Sequence, residues 1–101
     1  MDNSLQYLVI ISKTKFKDKL TKLLSENGGK GLITIYGKGS VNASVLAQSF
    51  GLDNDVKRSV LQCLITKENA KTILEILLEK YNFNKPNTGM AFTIPVEGLM
   101  F

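Results

Sequence analysis

Two glycine-bearing segments carry residue types suited to holding an anion: Gly37-Lys38-Gly39-Ser40 and Asn84-Lys85-Pro86-Asn87-Thr88-Gly89. Glycines let backbone N–H groups approach a phosphate closely, and a neighbouring lysine adds charge. The first segment is not a Walker loop, because the Gly-x-x-x-x-Gly-Lys-Ser/Thr spacing is absent. It also lacks the surrounding βαβ unit and downstream carboxylate of a dinucleotide fingerprint. Each segment has a plainer reading, a hinge at a strand end for the first and an ordinary turn for the second. Read for function, they are two jaws of an anion or nucleotide site between neighbouring subunits.

Other chemistry is narrowed by what the chain lacks. It has no histidine and one cysteine, Cys63. That removes Ser-His-Asp and Cys-His pairings and nitrogen–sulfur zinc sites. Cys63 lies in an apolar run and reads as a buried small hydrophobe, and no internal disulfide is possible. Asp53-Asn54-Asp55 lacks the rest of a calcium loop. An enzyme using Lys38, Asp53 or Asp55 ranks last, so the expectation is a non-enzyme with no catalytic residue and no metal. The formal net charge is +4, from 13 basic and 9 acidic residues. Lys15, Lys17, Lys19 and Lys22 fall at helical spacing among leucines, which favours a solvated helix face over a nucleic-acid surface. Arg58 is the only arginine, so no interleaved Arg and aromatic platform for RNA exists. The polar start Met1-Asp2-Asn3-Ser4 and the short apolar run Leu8 to Ile11 resemble neither a signal sequence nor a membrane span. The expected location is cytoplasmic, and Asn42-Ala43-Ser44 reads as a chance sequon.

The elements that must position the two loops come in two similar halves. In the first, Tyr7 to Thr14 reads as a strand, followed by a helix and the strand Gly31 to Ile35. In the second, Leu61 to Lys67 is followed by a helix and the strand Gly89 to Ile94. The first helix has an apolar stripe of Phe16, Leu20, Leu23 and Leu24, with Thr14 as N-cap and Gly28-Gly29 as its stop. The second has Ala70, Ile73, Leu74, Leu77, Leu78 and Tyr81, with Thr66 as N-cap and Asn82 to Asn87 closing it. All 101 residues fit one α+β domain, a ferredoxin-like βαββαβ sandwich with an antiparallel sheet and two helices on one face. An irregular α+β domain is the alternative.

Two further expectations follow from this pattern. Tyr7, Val9 and Ile11 point one way along the first strand and Leu8 and Ile10 the other, so both sheet faces are apolar. Helices cover one face, and a second subunit is the natural cover for the other. The segment 37–55 is long for a connection and carries Val45, Leu46 and Phe50 at partly helical spacing. It reads as an arm, and those three residues are candidate contacts with a partner protein.

This pattern resembles the P-II family of signal proteins and its P-II-like relatives over nearly the whole chain. The resemblance rests on the βαββαβ order, on Gly31-Leu32-Ile33-Thr34-Ile35-Tyr36-Gly37-Lys38-Gly39 opening the long central loop, and on Asn87-Thr88-Gly89-Met90-Ala91-Phe92-Thr93-Ile94-Pro95-Val96. It implies a cytosolic homotrimer that binds ATP, ADP or another adenine nucleotide in clefts between subunits. It also implies a long T-loop that docks on a target, which can be a transporter, an enzyme or a regulator, with indirect membrane association in the first case. Gly37, Lys38 and Gly39 would form the T-loop base, Asn87, Thr88 and Gly89 the B-loop around phosphates, and Ile33 and Thr34 the surroundings of the base pocket. The chain departs from the family pattern in three places. Met90 stands where the family has a phosphate-binding lysine, the T-loop is shorter, and the chain stops at Phe101, before the C-terminal arginines. The expected function is therefore P-II-like regulation by a small effector, nucleotide or other anion. A protein-interaction module with no nucleotide effector is the alternative.

Overall fold

The computed structural model describes residues 4–36, 58–86 and 88–97, with backbone alone at 32–36. Strand β1 (Leu5–Lys13) passes through a 3-10 turn (Thr14–Phe16) into helix α1 (Lys17–Glu26), and β2 (Lys30–Tyr36) returns. Strand β3 (Arg58–Thr66), helix α2 (Lys67–Lys80) and β4 (Gly89–Pro95) repeat the unit. The described strands form one sheet in the order β2-β3-β1-β4, with every neighbouring pair antiparallel. The two strands of each half are therefore parallel and separated by a strand of the other half, which is the ferredoxin-like interleaving.

Both helices pack on the same face. Leu8 and Ile10 of β1 and Leu61, Cys63 and Ile65 of β3 form one core with Leu20 and Leu24 of α1 and Ala70, Ile73 and Leu77 of α2. The rings of Phe16 and Tyr81 meet edge to face at 5.4 Å and tie the start of α1 to the end of α2. The other face is apolar too, but its centre is already covered. Val9, Ile11 and Val60 are buried within the chain, and the larger side chains of Tyr7, Met90 and Phe92 pack around them. The expectation of an open apolar face narrows to its margin, where Ile94 is half exposed.

The helix ends follow local chemistry. The Thr66 hydroxyl accepts from the Asn69 N–H at 3.3 Å and caps α2, as the sequence implies. Thr14 does not cap α1. The intervening 3-10 turn delays the helix, Phe16 takes the cap position, and the Thr14 hydroxyl meets that of Ser59 at 3.0 Å. Gly28 has a φ of 82° just past the α1 cap, a backbone conformation that side chains disfavour. Leu78 also departs from expectation. It is turned about 100° from Leu77 around α2 and is 50% exposed, while Leu77 is fully buried.

Leu77→Ala should therefore lower the unfolding free energy by roughly 2–5 kcal/mol. The adjacent Leu78→Ala should cost about 0.5 kcal/mol or less. Urea denaturation measures both, and equal costs would mean that α2 is rotated from this orientation.

Candidate functional site

The topology gathers four strand ends at one end of the sheet. Tyr36, Ser59, Ser12 and Gly89 are successive Cα partners across β2, β3, β1 and β4. The segment beginning at Gly37 therefore leaves from the same end at which β4 begins. Of the sequence-predicted site residues, Gly37, Lys38, Gly39 and Asn87 lie outside the described residues, as do Val45, Leu46 and Phe50. The Cα atoms of Ile33 and Thr34 pair with those of Gln62 and Leu61.

Thr88 and Gly89 are placed, and both have structural duties. The Thr88 hydroxyl donates to the Lys85 carbonyl at 2.6 Å and closes the turn before β4. To donate to an anion it would have to change partner. Gly89 is buried, and a Cβ on it would lie 2.6 Å from the Ile11 carbonyl oxygen and 2.8 Å from the Phe83 ring. The ring reaches that position because Asn82, with a φ of 56°, turns the chain at the end of α2. Asparagine tolerates this left-handed conformation. The Phe83 N–H then bonds the Leu77 carbonyl at 3.2 Å. Glycine at 89 is thus required by packing, whatever approaches from outside.

Sequence reasoning passed over the polar cluster at this sheet end. Ser12 and Ser59 are fully buried Cα partners on the helix side. Ser12 donates to the Lys13 carbonyl at 3.2 Å, while Ser59 shares its hydroxyl contact with Thr14. One position further out, Lys13 stands opposite Arg58. By alternation this pair shares the face of Ile11, Val60 and Met90. Arg58 is 3% exposed and Lys13 half-buried. A guanidinium does not shed its proton, so its burial calls for acceptors around it. The signal was present in the dipeptides Ser12-Lys13 and Arg58-Ser59, polar endings on two apolar strands.

Among the described residues no group of His, Cys, Asp and Glu could hold a metal ion. Cys63 is fully buried, and that burial pushes its thiol pKa up. Among the described residues no helix is long and apolar enough to cross a membrane.

The fold is that of the PII-like nitrogen regulatory proteins. CPII of Thiomonas intermedia K12, bound to ADP, AMP and acetate, superposes with a TM-score of 0.68 at 21% identity, covering 95% of this chain and 89% of that one. The same protein bound to ADP, AMP and bicarbonate gives 0.61 at 21% identity, covering 91% of each chain. A protein of Thermus thermophilus, described as PII-like and signalling, gives 0.65 at 22% identity, covering 95% and 90%. At these identities the likeness is one of fold. No family model and no curated protein matches the sequence.

Gly89→Ala should destabilise the protein by roughly 1–3 kcal/mol, since the new methyl must displace backbone or ring; thermal or urea unfolding measures this. The Cys63 thiol should resist alkylation in the native protein and react once denaturant is added. Mass spectrometry after iodoacetamide treatment reads the difference.

Proposed function

We propose that this chain is a divergent PII-like signal-transduction protein. It binds a small anionic effector, an adenine nucleotide such as ATP or ADP foremost, in clefts between the subunits of a cytoplasmic homotrimer. It then regulates a target protein through the arm 37–55. It has no catalytic role of its own.

The observation that carries this reading is the sheet end itself, where Tyr36 ends β2, Gly89 begins β4 and the half-buried Lys13 ends the central strand β1. Met90 stands where the resembled family carries a lysine, and it packs into the apolar cluster of Val9, Ile11 and Val60. Its Cα partner is Ile11, two residues before Lys13 on the same face. Lys13 is therefore suited to supply the charge that Met90 does not. CPII, which shares the fold, is bound to ADP and AMP together with acetate or bicarbonate.

The sheet geometry favours a site shared between subunits. Strands β2 and β4 are opposite edges of the sheet, about 14 Å apart at ordinary strand spacing. The segments that follow β2 and precede β4 thus attach far apart within one chain. Side-by-side subunits would bring the β2 loop of one to the β4 loop of the next. Apolar area around Ile94 is available for that contact. Residues Gly37 to Gly39 and Asn87 to Gly89 are the proposed jaws, with Ile33 and Thr34 near the base and Val45, Leu46 and Phe50 meeting the target.

Native mass spectrometry should give the mass of three chains, and calorimetry with ADP or AMP, with and without bicarbonate, should give saturable binding. Lys13→Ala and Lys38→Ala should each weaken that binding roughly 10–100-fold, the value of one charge-assisted hydrogen bond. A monomer without nucleotide or bicarbonate binding would overturn the proposal.

A further inference from the structure

Gln6 lies near the start of β1, with Cα partners Ile65 on β3 and Pro95 on β4. Ile65 belongs to the core beneath the helices, so Gln6 faces them as well. The residue is 8% exposed, and it lines a pocket of the surface. A side-chain amide facing such a pocket is a hydrogen-bonding group that a ligand can use.

Gln6 lines a cavity of about 410 Å³ between α2 and the edge strand β4. Ala70 and Leu74 provide an apolar wall, Thr93 a hydroxyl, and Glu68 and Lys71 exposed charges at the mouth. The amide, the hydroxyl and the ammonium can all donate hydrogen bonds. A wholly apolar ligand would leave the amide unpaired. A nucleotide would set several negative charges against Ala70, Leu74 and the Glu68 carboxylate. A small molecule with one carboxylate and an aliphatic body satisfies both halves of the lining.

We infer that this cavity binds a small aliphatic carboxylate. The Gln6 amide and the Lys71 ammonium hold the carboxylate, and Ala70 and Leu74 hold the hydrocarbon. The site lies about 23 Å along β1 from Lys13, at the opposite end of the sheet, and does not depend on the effector proposed there.

Titration of the full-length, nitrogen-labelled protein with sodium isocaproate tests it by NMR. Saturable shifts are expected at the backbone amides of Gln6, Ala70 and Thr93, with a dissociation constant on the order of 1 mM for a ligand this small. Isohexanol, which lacks the charge, should not reproduce them. Gln6→Leu and Lys71→Met should each weaken binding about tenfold or more, the loss of one hydrogen bond to a charged group. Gln6→Ala, which only removes atoms, covers the case in which leucine does not fit. Absence of saturable shifts up to about 10 mM, well above the range expected of so small a ligand, would overturn the inference. So would binding that persists unchanged in the Gln6 variants.

Discussion

The register of β1 against β3 is held by polar groups in a ladder whose two faces are both apolar. Side chains alternate with a period of two, so a one-residue slip exchanges the faces of a strand. Here such a slip would replace Leu8 and Ile10 by Val9 and Ile11 against the helices, a small change in hydrophobicity. Hydrophobic pattern alone therefore specifies the pairing weakly. The Thr14–Ser59 contact and the hydrogen bond from the Tyr7 hydroxyl to the Gln62 carbonyl oxygen are what a slip would break. Those same bonds bring Ser12-Lys13 against Arg58-Ser59. The cationic end of the sheet is thus a product of the interactions that select the register.

The segment before β4 shows how one glycine can satisfy two demands. Its sequence invites a phosphate-loop reading, yet Gly89 is compelled by the Ile11 carbonyl and the Phe83 ring. That arrangement begins at Asn82, whose left-handed backbone swings Phe83 over the start of β4. The turn is stiffened further by the Thr88 hydroxyl on the Lys85 carbonyl. An anion recruiting Thr88 as donor would compete with this internal bond. In the proposed site, effector binding and turn closure draw on one hydroxyl proton.

Much of the fold was legible because apolar periodicity and end signals agreed. The stripes of both helices, the Thr66 cap and the Gly28 stop all followed from local spacing. What failed was governed by tertiary contact. Thr14 looks like a cap in sequence but is drawn to Ser59, a residue 45 positions away. Leu78 belongs to the helical stripe by spacing, yet the core closes at Leu77 and leaves it out. The second sheet face read as bare because alternation gives direction without side-chain reach. Tyr7, Met90 and Phe92 are partly buried and pack against Val9, Ile11 and Val60, which the chain itself buries. Lys13 and Arg58 were missed for a related reason, since only the strand register makes them opposite.

Charge placement then bears on the proposed anion site. A cation at position 90 would sit at the start of β4, an edge strand that follows a turn. Lys13 and Arg58 instead end the two central strands, each hydrogen-bonded to neighbours on both sides. Central strands deform less than edges, so less conformational entropy is lost when they meet an anion. In the proposed cleft the anion is held by the rigid sheet end, and the glycine-bearing segments are left to shape the remainder of the ligand.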